Sequence, residues 1–199
     1  SMKLVLATQN PKKLKEMNEI LSHLGVEVVS EAELGVRIEV EETGETFTDN
    51  ARLKATAVMQ ATGLPAVADD SGLCVDALNG GPGVYSARFG GEGLDDKGRY
   101  TLLLEMLRGQ TDRAAHFHTS IVCVFPNGDE LVCEGECPGT IAFAPMGEGG
   151  FGYDPVFFVP ELRKTFGQLT AEEKASVSHR GKALRAFAAV LDDYLKGNE

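Results

Sequence analysis

The opening residues already restrict the fold. Lys3-Leu4-Val5-Leu6-Ala7 is an apolar run of strand length, and it passes without a spacer into Thr8-Gln9-Asn10-Pro11. Asn10 reads as an N-cap, because its side chain can accept from the N–H groups that a helix start leaves open. Pro11 then suits the first helical position, where its missing donor costs nothing. Leu14, Met17, Leu21 and Leu24 follow at helical spacing, Gly25 stops the run, and Val26-Glu27-Val28-Val29 returns as a strand. A buried strand feeding a helix through a tight loop is the building unit of α/β folds.

Further along, the acidic stretch Glu39 to Glu45 leads to a helix capped near Thr46 and ended by Gly63. The sequence then predicts a strand over 65–69, a short strand over 73–77, a glycine-rich loop from Gly80 to Gly93 and a helix from Asp95 to Gly109. Segments 115–125 and 130–137 flank Pro126-Asn127-Gly128-Asp129, a hairpin signal. A third glycine-rich loop, 147–152, runs into a strand at Pro155 to Val159. Thr170-Ala171-Glu172-Glu173 is a capping box that starts a short helix. The chain closes in an amphipathic helix carrying Leu184, Phe187, Leu191, Tyr194 and Leu195. βα units around a central hairpin predict an α/β fold with a mixed, strongly bent central sheet flanked by helices, in two lobes with the active site in the groove between them. No linker separates the lobes, so 1–199 reads as a single domain. Ser1, ahead of Met2, reads as an expression remnant and is left out of this reasoning.

The net charge of −11, from 19 Lys and Arg against 30 Asp and Glu, argues against nucleic acid or an anionic membrane as partner. No apolar run approaches the ~20 residues of a membrane helix and no signal peptide is visible, so a cytoplasmic protein is expected. Cys74, Cys123, Cys133 and Cys137 form no C-x-x-C pair and read as reduced, mostly buried small hydrophobes. An acidic chain can still bind a small polyanion if it holds a local basic pocket and a divalent metal.

Four clusters suit that task. Ala68-Asp69-Asp70-Ser71-Gly72-Leu73 sets two carboxylates at the end of an apolar strand, where burying even one unpaired charge costs several kcal/mol. Asp-Ser-Gly is also ordinary turn chemistry. Thr8 to Lys13 forms a helix N-terminus, an anion site by its free N–H groups, and the basic Lys12, Lys13 and Lys15 oppose the helix dipole unless an anion sits there. Glu41 or Glu42 could join one of Asp69 and Asp70 in a hard-oxygen site for Mg²⁺, since neighbours on extended backbone face opposite sides. A solvated acidic loop is the alternative for the glutamates.

The remaining two lie in the C-terminal half. Gly147-Glu148-Gly149-Gly150-Phe151-Gly152 matches G-x-G-x-x-G but opens no helix, so it is no dinucleotide fingerprint; displaying Phe151, Tyr153 and Asp154, it better suits a flat base, with core packing of Phe151 the alternative. Lys174, Ser178, His179 and Arg180 precede the last helix, with Lys174 and Ser178 on one helical face if the short helix persists that far. His179 reads either as a structural histidine or as a ligand-facing one. No G-x-S-x-G elbow and no G-x-x-x-x-G-K-[ST] occurs, so neither a serine hydrolase nor a P-loop NTPase is supported.

Taken together and in order, Thr8-x-Asn10-x-x-Lys13, Ala68 to Leu73, Gly83-x-x-Ser86-Ala87-Arg88, Phe151-Gly152-Tyr153-Asp154-Pro155 and Ser178-His179-Arg180 strongly resemble the inosine triphosphate pyrophosphatase family, the non-canonical purine NTP or XTP/dITP diphosphatases. The resemblance spans nearly the whole chain. Gln9 departs from it, standing where the family usually has Gly. The resemblance implies Mg²⁺-dependent hydrolysis of ITP, dITP and XTP to a monophosphate and pyrophosphate by a homodimer. It further implies that Thr8, Asn10 and Lys13 hold the triphosphate, with Lys54 a weaker candidate, and that Ser71 contacts substrate. Asp70 would accept the water's proton and touch the metal, with Glu41 or Glu42 as second metal carboxylate. Phe151, Gly152, Tyr153 and Asp154, with Lys174, His179 and Arg180, would form the base pocket. The rivals are a nucleotide sensor without turnover, which has no need of a base beside the phosphates, and a different house-cleaning nucleotide pyrophosphatase preferring canonical or modified pyrimidines.

Overall fold

The structure, a computed structural model, describes residues 2–198, so Ser1 lies outside the described residues. Its strands are β1 (Met2–Leu6), β2 (Val26–Ser30), β3 (Ala66–Val75), β4 (Gly81–Pro82), β5 (Ala114–Val124), β6 (Glu130–Ile141), β7 (Phe157–Val159) and β8 (Lys164–Thr165). The α-helices are α1 (Pro11–Leu21), α2 (Phe47–Thr62), α3 (Asp96–Met106), α4 (Ala171–Val177) and α5 (His179–Gly197). The strands form one sheet in the order β2-β1-β3-β5-β6-β7-β8, with β4 paired to β3. β1 pairs parallel with β2 and β3, while β6 with β7 and β7 with β8 run antiparallel, which makes this the mixed α/β sheet that the sequence predicts.

Two compact units share the chain. The first comprises the chain to Asp70, residues 119–134 and the chain from Ala183; the second comprises 71–118 and 135–182. In the first, Leu4 and Leu6 of β1, Met17 and Leu21 of α1, Val67 of β3, Ile121 of β5 and Phe187 and Leu191 of α5 form one buried cluster. Its α1 is built as the residues require, with Asn10 capping, Pro11 at the first position and no acidic residue in the first turn. In the second unit, Leu73, Leu103, Phe117, Tyr153, Phe157 and Phe166 are buried in one core. Gly139 is tied to its place there, because a Cβ on it would meet the Phe158 carbonyl oxygen across the β6–β7 pairing.

Two sequence expectations change. The strands expected at 65–69 and 73–77 are one strand, β3, which runs through Asp69-Asp70-Ser71-Gly72 without turning. The turn chemistry of Asp-Ser-Gly gives way because lysines meet both carboxylates where they stand, as described below. Ser178 does not share a helical face with Lys174: α4 ends at Val177, Ser178 adopts extended backbone, and its Oγ accepts from Gly181 N at 2.9 Å, capping α5. Among the described residues no helix is long and apolar enough to cross a membrane.

The packing of α5 has a direct test. Phe187 is fully buried, whereas Val190 on the same helix is 37% exposed. Phe187→Ala is expected to cost about 3–5 kcal/mol in chemical denaturation and Val190→Ala less than about 1 kcal/mol. Similar losses for the two would contradict this placement of α5.

Candidate active site

Most of the candidate residues fall into two clusters, each inside one unit. The first gathers around the middle of β3. Asp69 is buried and its Oδ2 receives Lys13 Nζ at 3.1 Å, so α1 reaches β3 through its third residue. Lys54 of α2 serves three oxygens: its Nζ donates to the Asp69 carbonyl at 2.7 Å, pairs with Glu42 Oε1 at 2.9 Å and lies 3.8 Å from Asp70 Oδ1. Alternation along β3 thus sends one carboxylate to Lys13 and its neighbour to Lys54. Glu42, not the exposed Glu41, is the glutamate brought beside Asp70's lysine.

Asp70 carries an electrostatic imbalance. Its Oδ2 is buried and has no hydrogen-bond partner. Burial pushes its carboxyl up to about 6; Lys54 and a hydrogen bond with Asn50 pull the other way, while the charges of Glu42 and Asp69 add to the rise. An orphaned hard oxygen next to a second carboxylate fits a Mg²⁺ site, which takes one or two protein carboxylates and completes its shell with water and substrate phosphate. Asp70 and Glu42 are therefore the pair that would hold the ion.

The basic side of the cluster is the start of α1. Thr8 Oγ1 accepts from Asn10 N at 3.2 Å and Asn10 Oδ1 from Lys12 N at 2.9 Å, which fixes the loop and leaves Lys13 at the helix start. Gln9, the departure from the family pattern, donates from Nε2 to the buried Glu31 at 3.3 Å, and Glu31 also accepts from Ile38 N at 3.0 Å. The larger side chain is accommodated as a brace. Thr8, Gln9, Glu31 and Lys54 line a cavity of about 260 Å³.

The second cluster belongs to the glycine loop and the α4–α5 junction. Asp154 is buried, and its Oδ2 accepts from Lys174 Nζ at 2.6 Å and from Phe151 N at 3.0 Å. Burial raises the Asp154 carboxyl, against the pull of Lys174. The same Lys174 ammonium stands 4.5 Å from the ring centre of Phe151 and 5.6 Å from that of Phe166, within cation–π range. Phe151 is 73% exposed, so it does not pack into the core. Gly150, at φ +72°, lies so close to Asp154 that a Cβ would meet Oδ2, which explains the glycine. Gly152 N donates to Asp96 Oδ2 at 2.8 Å. His179 stacks on Phe117 with ring centres 4.7 Å apart, and more distantly on Phe166.

Some expected residues take other positions. Tyr153 turns inward: its side chain is buried and its hydroxyl donates to the Ser86 carbonyl at 2.6 Å. Ser71 is exposed at the middle of β3, and Arg180 is half-buried in the first turn of α5. Sequence reasoning missed Asn50, Asp96, Phe117 and Phe166, which hold the named residues in place. Only Asn50 carried a signal, a polar residue one turn before Lys54 on the α2 face that also holds the apolar Ala51 and Ala55.

A loop-capped helix start and a lysine-faced carboxylate pair on a mixed sheet define an α/β protein that sets helix N–H groups and hard-oxygen donors around one strand. The chain belongs to the Ham1 family, whose model matches residues 4–190. It is 50% identical over 196 residues to the dITP/XTP pyrophosphatase of an Exiguobacterium species, covering 98% of this chain and all of that one. Among solved structures, a HAM1 protein from Coxiella burnetii superposes with a TM-score of 0.93 at 43% identity, over 97% of this chain and 100% of that one. The Staphylococcus aureus Ham1 protein gives 0.90 at 41% identity, over 99% and 100%.

The raised carboxyl of Asp70 has a consequence for stability. The folded chain holds that proton to higher pH than the unfolded chain, whose carboxyl titrates near the ordinary 3.8, so stability falls as pH rises from there through about 6. With divalent cations chelated, Asp70→Asn is expected to melt roughly 2–4 °C above wild type at about pH 8 and to lose that advantage near pH 4. A variant no more stable than wild type at the higher pH would contradict an uncompensated Asp70.

Proposed function

We propose that the chain hydrolyses non-canonical purine nucleoside triphosphates, ITP, dITP and XTP, at the α–β phosphoanhydride, releasing the monophosphate and pyrophosphate. The observation that carries this reading is Asp70 Oδ2, buried and unpartnered beside the Lys54–Glu42 pair, in a member of a family whose curated relatives are dITP/XTP pyrophosphatases. A carboxyl pushed up to about 6 is a competent general base near neutral pH, able to take the proton of an attacking water. A sensor that only binds nucleotide would have no use for it.

In this reading Thr8, Asn10 and Lys13 receive the triphosphate at the start of α1, with Ser71 a further contact. The free N–H groups of the helix and the Lys13 ammonium meet phosphate oxygens, so Lys13 exchanges part of its pairing with Asp69 for substrate. Lys54 keeps Glu42 and the Asp69 carbonyl in place. Mg²⁺, when bound by Asp70 and Glu42, would neutralise charge on the phosphoryl oxygens. Phosphoryl transfer asks mainly for positioning and charge neutralisation, and these residues supply both.

Base selection falls to Phe151, Gly152, Asp154, Lys174, His179 and Arg180, with Tyr153 supporting the loop from inside. Hypoxanthine and xanthine present an acceptor at position 6 where adenine presents a donor. Lys174 and Arg180 carry only donors, so ATP leaves a donor opposed, and such a mismatch supports large discrimination. The homodimer belongs to the same proposal and rests on the resemblance; the cytoplasmic setting rests on the four free cysteines.

The test is a nucleotide panel with Mg²⁺ and product analysis. Pyrophosphate is expected from ITP, dITP and XTP and little from ATP; inorganic phosphate as first product would overturn the reading. Lys13→Ala should raise KM and lower kcat without altering the ITP/ATP ratio of kcat/KM. Lys174→Ala should narrow that ratio by weakening ITP, on the order of 1–3 kcal/mol.

A further inference from the structure

Two imidazoles and a carboxylate meet on one face of the β5–β6 pair, and none of them takes part in the proposed reaction. His116 and His118 are two residues apart on β5, so both side chains leave the same face. Glu136 of β6 reaches both: its Oε1 lies 2.9 Å from His118 Nδ1 and 3.8 Å from His116 Nε2. One candidate ligand atom from each residue lies within 4.8 Å of the other two.

A plain histidine–carboxylate hydrogen bond accounts for half of this. It explains the distance to His118, but 3.8 Å is beyond hydrogen-bond range, so the second imidazole is turned toward the same oxygen without bonding it. A shared cation explains both. Donor atoms held at about 2.0–2.2 Å from a tetrahedral ion stand roughly 3.3–3.6 Å apart, and the two distances to Glu136 bracket that value, so small side-chain rotations would complete the set. Lys182, whose Nζ donates to the Glu136 backbone carbonyl at 2.8 Å, leaves the carboxylate to the imidazoles. His118 is only 14% exposed while Glu136 is 57% exposed, an anchored ligand beside an open path for the ion.

We propose that His116, His118 and Glu136 form a second cation site, selective for a borderline divalent transition metal of the Zn²⁺ type. The donor chemistry separates it from the Asp70–Glu42 pair, because imidazole nitrogen suits Zn²⁺ and its neighbours, whereas Mg²⁺ takes oxygen and keeps its waters. Three protein ligands leave one position for water or for a fourth donor.

Calorimetric titration of the metal-stripped full chain with ZnCl₂, in excess MgCl₂, tests the proposal. One equivalent of Zn²⁺ is expected, with affinity falling about tenfold or more in Glu136→Gln and in His116→Gln. Co²⁺ in place of Zn²⁺ should give visible d–d absorption without a thiolate charge-transfer band. If His118→Ala fails to fold, the two conservative variants decide the matter. No Zn²⁺ binding over Mg²⁺, unchanged binding in both variants, or a thiolate band assigning the ion to cysteine would each overturn the site.

Discussion

Three carboxylates and two ammonium groups converge on the middle of β3, and the arrangement is one negative charge out of balance. Asp69 has Lys13; Glu42 and Asp70 divide Lys54, whose ammonium is at full contact distance from only one of them. Most of this cluster is half-buried or buried, where an uncompensated carboxylate is costly. The chain meets that cost in part by holding Asp70's proton to higher pH. The same imbalance is what a hard divalent ion would relieve, so an ion held there would stabilise the fold.

The scaffold keeps the imbalance from collapsing. β1, parallel to β3, delivers the chain directly into the capped start of α1, which presents Lys13 to Asp69; α2, capped by Thr46, presents Asn50 and Lys54 one turn apart. At the other candidate cluster the logic is similar: Lys174 is fixed by Asp154 and faced by Phe151 and Phe166, so in the proposed reading its donor is oriented before a base arrives. Preorganised donors discriminate more sharply than mobile ones, because the wrong base leaves them opposed rather than rotated away.

Much of this was legible in the residues. Asn10-Pro11, Thr46 and Thr170-x-x-Glu173 mark helix starts through local hydrogen bonds, and local chemistry is what a sequence carries best. The carboxylate pair, the capped start of α1 and the exposed Phe151 loop were readable for the same reason. What was not readable is long-range. β3 runs through Asp-Ser-Gly because Lys13 and Lys54, distant in sequence, hold its carboxylates; Ser178 caps α5 instead of continuing α4; and Gln9 finds Glu31. The choice of Glu42 over Glu41 likewise depends on where α2 places Lys54. His116, His118 and Glu136 escaped notice because cross-strand register, not spacing along one segment, brings them together.

Asp70 and Glu42, held short of neutrality by one lysine, are the pair that would hold a divalent cation. Replacing Mg²⁺ with paramagnetic Mn²⁺ and following the free ion by EPR measures that site without turnover. Saturable Mn²⁺ binding is expected to be lost in Asp70→Asn, weakened in Glu42→Gln and unchanged in Glu41→Gln. Undiminished binding in Asp70→Asn, or a loss confined to Glu41→Gln, would contradict this assignment.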